Sequence, residues 1–141
     1  MALDGSEPAN RALDYALDLA EKYSATILLL SVFHPVYPFI GIEPNFVLPS
    51  APDLLEAQKA YHGKVLSEAL QKANELKPNL NVSTKLGEGR PAEIIIETAQ
   101  EGKIDLIVMG SRGLEGITQM FLGSVSDRVA DRAICPVLII N

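Results

Sequence analysis

The sequence predicts an α/β protein: one domain, residues 1–141, built on an open, parallel, doubly wound sheet with helices on both faces. Three observations carry this. Segments with apolar residues at three- and four-residue spacing take turns along the chain with short segments that are apolar throughout. Strands that are apolar without alternation are buried on both faces, as in parallel sheets covered by helices. Strands separated by helices need crossover connections, which are right-handed and keep the strands parallel. A chain of 141 residues fits one such domain.

The first helix runs from Glu7 to Tyr23, with Ala9, Leu13, Ala16, Leu17 and Ala20 on one face. Ser6 caps it, and Pro8 stands in the first turn, where no helical hydrogen bond is lost. Only Met1-Ala2-Leu3 precede it as strand material. The first strand is therefore three residues long or is completed by residues upstream. Thr26 to Val32 reads as a buried strand. Between His34 and Pro52 lie Pro35, Pro38, Pro44, Pro49 and Pro52 with Tyr37, Phe39 and Phe46. An excursion this long, 34–52, is expected to be a surface loop, a lid or a partner contact.

A second helix runs from Asp53 to Lys77, striped by Leu55, Val65, Leu66, Ala69, Leu70, Ala73 and Leu76 and stopped by Pro78. Ser50 and Asp53 have capping-box spacing. Asn81 to Leu86 alternates apolar and polar residues, which suits a more exposed strand near a sheet edge. The third helix spans Pro91 to Gln100, with proline at a tolerated first-turn position. Asp105 to Met109 is another buried strand. Gly123 or Ser124 to Ala133 is the last helix, and Pro136 to Ile140 the last strand.

Composition narrows the function. Twelve basic against eighteen acidic residues give a formal charge of -6, which disfavours broad nucleic-acid or anionic-membrane binding. The lone Cys135 forms no internal disulfide and no multi-cysteine zinc site. The start has neither basic n-region nor apolar h-region, and no stretch approaches the ~20 apolar residues of a membrane helix. A soluble, cytoplasmic protein is expected.

Two segments resemble phosphate-binding turns. Gly87-Glu88-Gly89-Arg90-Pro91-Ala92 fits GxGxxA, but Asp105 begins the next strand instead of ending it at a ribose, so an ordinary tight connection is the better account. Gly110-Ser111-Arg112-Gly113, nine residues, then Gly123-Ser124-Val125-Ser126 is the stronger signal. Gly110 follows a buried strand, at whose carboxyl end ligands bind in open α/β sheets. Gly113 permits close backbone approach. Gly123 and Ser124 open a helix whose free amides and positive dipole end suit an anion. Ser124 and Ser126 offer hydroxyl donors and Arg112 a charge. Strand-ending glycines and helix-capping serines explain the same spacing without a ligand, and spacing alone leaves both open.

Gly110-x-x-Gly113-x9-Gly123-Ser124 resembles the G-2x-G-9x-G-[S/T] signature of the universal stress protein (UspA) family, in its ATP-binding branch. Asp4-Gly5-Ser6, Asp105 to Gly110 and Cys135 to Ile139 extend the likeness to the whole chain except the Pro-rich loop. The resemblance implies one Rossmann-like five-stranded sheet of the adenine nucleotide alpha hydrolase type, in order 3-2-1-4-5. It implies a homodimer paired through the last strand, 136–140. It also implies ATP at the strand ends, with Mg2+ or Mn2+. Ala2, Leu3 and Asp4 would meet adenine and ribose, and Val32 the base. Met109, Gly110, Arg112 and Gly113 would line the middle, and Gly123, Ser124, Val125 and Ser126 would hold the terminal phosphates. Asp4 could instead merely order the Gly5-Ser6 turn.

The function expected is a dimeric ATP-dependent regulatory switch in the stress response, in which phosphate orders residues 110–126 and tunes a partner surface. A slow metal-dependent ATPase or phosphotransferase and a nucleotide-independent scaffold are the alternatives. No general base stands out. His34 and His62 read as exposed and functionless, Cys135 as inert packing, and Arg128 and Arg132 as partners of Asp127 or Asp131, or as dimer surface.

Overall fold

The computed structural model describes residues 1–35, 51–114 and 122–141. In chain order the elements are β1 (Ala2–Leu3), α1 (Glu7–Tyr23), β2 (Ile27–Phe33), α2 (Ala51–Leu76), β3 (Val82–Glu88), α3 (Pro91–Glu101), β4 (Ile107–Gly110), α4 (Ser124–Arg132) and β5 (Val137–Ile140). The alternation and the parallel pairing are as expected. Most of the Pro-rich 34–52 excursion, and Ser50 with its proposed cap, lie outside the described residues.

The single five-stranded sheet is corrected. The hydrogen-bonded strands form a three-stranded sheet, β1-β2-β3, and a separate pair, β4-β5. β1 touches β4 without a ladder between them. The reason is length: two residues satisfy one neighbour, with Ala2 opposite Leu30 and Leu3 opposite Ser31. Toward the amino ends of β2 and β4 the strands part around a groove of ≈ 630 Å³, lined by Ile27, Leu28, Ile104 and Ile107 among others. The Met1 ammonium lies against this groove and donates to the Leu28 carbonyl at 2.9 Å, and burial lowers its pKa to about 6.

Two cores lie on opposite faces. α1 and α2 pack Leu13, Leu17, Val65, Leu66 and Ala69 against Ile27 and Leu29. α3 and α4 pack Ile95, Ala99 and Val129 against Leu30, Val32, Ile107 and Met109. Alternate residues of β2 thus serve the two faces, which is why its sequence is apolar without a period. Each fully buried leucine removes apolar area from water for about 1.5–3 kcal/mol. β3 lies at the sheet edge, as expected, but its faces do not alternate in burial: Thr84 and Leu86 are exposed along with Ser83 and Lys85.

The start of α1 shows why local sequence places elements. Ser6 Oγ accepts from the Ala9 amide at 3.4 Å, and the amide of Ser6 donates to Asp4 Oδ1 at 3.0 Å. Gly5 between them has φ +85°, a conformation costly to other residues. The chain therefore turns sharply from β1 into α1 and leaves Asp4 at the strand's carboxyl end. β4 begins at Ile107, two residues later than the apolar run suggests, and ends at Gly110.

Candidate nucleotide site

A cleft of ≈ 550 Å³ opens where the carboxyl ends of β1, β2 and β4 meet the start of α4. Ala2, Leu3, Asp4, Val32, Met109, Gly110, Arg112, Gly113, Gly123, Ser124, Val125 and Ser126 all line it. The tertiary fold thus gathers the residues named above for the nucleotide, from four separate stretches of chain. The lining also takes in Ala9, Leu30, His62, Pro91 and Ile95, with Leu114 and Leu122 at the rim. Leu30, Val32, Ile95 and Met109 make one wall apolar, a surface suited to a flat heterocycle.

The opposite wall is a set of donors. Gly123 donates its amide to the Ser111 carbonyl at 2.8 Å, and the first intrahelical bond of α4 runs from Asp127 to Gly123 at 2.9 Å. Between them the amides of Ser124, Val125 and Ser126 have no acceptor among the described residues, and no side chain caps the helix. These donors and the helix's positive end face the cleft, with the Ser124 hydroxyl and Arg112 beside them. Ser126 departs from expectation. Its buried hydroxyl donates to the Gly110 carbonyl at 2.9 Å, so its one proton is committed to tying α4 to β4.

The three glycines differ in what they accommodate. A Cβ on Gly110 would lie 2.7 Å from the Ala9 nitrogen and 2.8 Å from the Pro8 carbonyl carbon, so this glycine lets α1 pack on the end of β4. A Cβ on Gly113 would lie 2.6 Å from Asp4 Oδ2. On Gly123 it would meet the Arg112 Cα and the Ser111 oxygen at 3.3 Å, tight but close to tolerable. Gly87 and Gly89 face Ile94 instead, and Gly89 bonds the Phe33 carbonyl at 3.0 Å, which makes the GxGxxA stretch a connection packed on α3.

Asp4 does order its turn through Oδ1, while Oδ2 is left facing Gly113 across the cleft. Behind it the Tyr61 hydroxyl donates to the Asp4 carbonyl at 3.1 Å. His62 corrects the sequence expectation of an exposed, solitary histidine. It is half-buried, lines the cleft, and sits 2.8 Å through Nδ1 from the Ser31 hydroxyl, with Phe33 and Tyr61 rings around it. Burial lowers its pKa, and the Asp4 carboxylate partly opposes this. The signal was present: position 62 continues the stripe Val65, Leu66, Ala69 and Ala73 one turn toward the start of α2.

Among the described residues no three His, Cys, Asp or Glu side chains converge as a metal site. Among the described residues Asp4 is the one carboxylate of the cleft lining, so a divalent ion here would take its other ligands from phosphate oxygens or water. Cys135 is half-buried against the α3–α4 core, and Arg132 approaches Asp131 at 3.9 Å on the surface. Among the described residues no helix is long and apolar enough to cross a membrane.

The sequence model of the universal stress protein family matches residues 1–141. A universal stress protein of Thermus aquaticus is 36% identical over 141 residues, covering 100% of this chain and 96% of the relative. Among solved structures, UspA from Lactobacillus plantarum superposes with a TM-score of 0.83 at 27% identity, over 99% of this chain and 94% of that one. A universal stress protein in complex with cAMP superposes with a TM-score of 0.72 at 27% identity, over 100% and 93% of the two chains.

Proposed function

The chain belongs to the universal stress protein family, and from that premise we propose that it is an ATP-binding member acting as a dimeric regulatory switch. One observation carries the proposal. Three amides at the start of α4 without an acceptor among the described residues, Arg112 and the Ser124 hydroxyl face an apolar wall across a single ≈ 550 Å³ cleft. Such a site takes a ligand with an anionic tail and a flat apolar head, which is a nucleotide. The relative solved with cAMP supports an adenine nucleotide in this fold.

In this proposal Leu30, Val32 and Met109 hold the base, Ala2, Leu3 and Asp4 the base edge and ribose, and Gly113 the α-phosphate region. Ser124, Val125 and Ser126 bind the β- and γ-phosphates through their amides. Mg2+ or Mn2+ on the phosphates would neutralise part of their charge. Charge-assisted hydrogen bonds of about 1.5–3 kcal/mol each suffice for micromolar binding after ordering costs. Binding that favours one conformation raises its population by the difference in affinity.

Dimerisation through the last strand rests on β5 being an edge strand whose Val137, Leu138, Ile139 and Ile140 all stay half-exposed. An apolar strand edge of this kind pairs with a second copy of itself. The test of the nucleotide reading is direct. Purified protein is denatured, released nucleotide is identified by chromatography and mass spectrometry, and ATP is then titrated into wild type and Gly113→Val. Released or titratable ATP that the substitution abolishes supports the switch. Protein that is empty and indifferent to ATP leaves the nucleotide-independent scaffold. Steady phosphate release above that of a variant with a bulky residue at Gly123 would favour a slow ATPase.

A further inference from the structure

We propose that His62 reads a ribose hydroxyl, and so makes this cleft prefer ribonucleotides over the corresponding deoxynucleotides; the inference rests on the nucleotide reading above. Proton accounting carries it. The Ser31 hydroxyl has one proton and donates it to the Leu3 carbonyl at 2.8 Å. Its oxygen can therefore only accept from His62 Nδ1, 2.8 Å away, so the neutral ring carries its hydrogen on Nδ1. Nε2 is then a bare acceptor, and it has no hydrogen-bond partner among the described residues. Ser31 is fully buried and bonded at both ends, which holds the ring from behind. Burial favours the neutral ring.

Asp4 follows Leu3 in the chain, it lines the same cleft as His62, and its carboxylate acts on the imidazole through space. With Oδ1 committed to Ser6, Asp4 offers Oδ2. Two acceptors on one cleft lining, an imidazole nitrogen and a carboxylate oxygen, suit a ligand with two donors. The vicinal hydroxyls of a ribose are such a pair. An exocyclic amine also donates, so the base is the rival source, and the ligand series below separates them.

The experiment measures binding of ATP, 2′-deoxy-ATP, 3′-deoxy-ATP and inosine triphosphate to full-length wild type, His62→Asn and His62→Gln. The shorter amide of asparagine reaches the Nδ1 position and keeps the Ser31 bond, but presents nothing where Nε2 stood. The longer amide of glutamine reaches the Nε2 position and keeps an acceptor there. One neutral hydrogen bond corresponds to about a 2- to 12-fold change in Kd. Wild type is expected to prefer ATP over one of the deoxy analogues by at least that range. His62→Asn should weaken ATP binding and erase that preference, and His62→Gln should restore part of it. Thermal unfolding of the three proteins confirms that each is folded. An unchanged ATP-to-deoxy ratio in His62→Asn overturns the inference while leaving nucleotide binding intact. A lost discrimination against inosine triphosphate, with the deoxy ratios unchanged, assigns His62 to the base and overturns it too. Wild type that binds none of the four removes the nucleotide reading itself, and this inference with it.

Discussion

Gly110 and Gly113 belong to one sequence signature, and the structure predicts opposite consequences for replacing them with alanine. In Gly110→Ala the new methyl would stand 2.7 Å from the Ala9 nitrogen and 2.8 Å from the Pro8 carbonyl carbon. Both are backbone atoms of the first turn of α1 and cannot swing aside. Overpacking of this kind costs about 1–3 kcal/mol, or a fall in Tm of about 3–10 °C for a domain of this size. In Gly113→Ala the methyl would meet Asp4 Oδ2 at 2.6 Å. That oxygen ends a side chain, and the Gly113 turn is at the surface, so the carboxylate swings away and the cost is limited to the Oδ1 bond from the Ser6 amide, at most about 1 kcal/mol. The rotation breaks the contact proposed between Asp4 and the ribose. A charge-assisted hydrogen bond of about 1.5–3 kcal/mol becomes a roughly 10- to 150-fold rise in Kd for ATP. Differential scanning calorimetry and isothermal titration on the two variants separate the effects. Equal losses of Tm in both, or Gly113→Ala binding within twofold of wild type, would refute the reasoning.

Further outcomes follow from single contacts. Ser126→Ala leaves the Gly110 carbonyl without its buried donor and should cost about 1–3 kcal/mol in denaturant unfolding, whereas Ser124→Ala, exposed, should weaken ATP binding with stability unchanged. The His62 pKa is lowered in the folded state, so the unfolded chain takes up its proton first as pH falls. Stability should accordingly decline below the ordinary value of about 6.5, and His62→Asn should flatten that limb of a pH series of unfolding curves. On β5, Leu138 faces β4 and Ile139 turns its amide to the open edge, as the bonds at Pro136 and Ile140 fix by alternation. Ile139→Pro should therefore leave the β4–β5 ladder intact while blocking edge pairing, and sedimentation should show monomer in place of dimer.

Periodicity and turn chemistry were enough to locate every described helix and strand, because each rests on local physics. The Ser6 cap and the Pro8 first turn start α1, Pro78 closes off α2, and the unalternated apolar run of β2 reports its burial on two faces. The glycine and serine spacing likewise pointed to the turn after β4 and the start of α4, since those residue types are what such a turn and a free helix end require. The separation of the strands into two sheets was not legible in the same way. Whether a two-residue strand bonds to one neighbour or to both is settled by competition between β2 and β4 in space.

The same division runs through the site. Sequence alone determined the α/β order and the family signature and pointed to the donor half of the cleft, because these depend on residue type and spacing. Only the tertiary structure decided what each group is free to do. It spent the Ser126 proton on Gly110, pressed Gly110 itself against the backbone of α1, and divided Asp4 between its turn and the cleft. It also brought His62 over from α2 to Ser31, 31 residues away in sequence, and fixed its tautomer through that hydroxyl. Hydrogen-bond donors and acceptors are counted between partners distant in sequence, and a one-dimensional pattern does not contain that count.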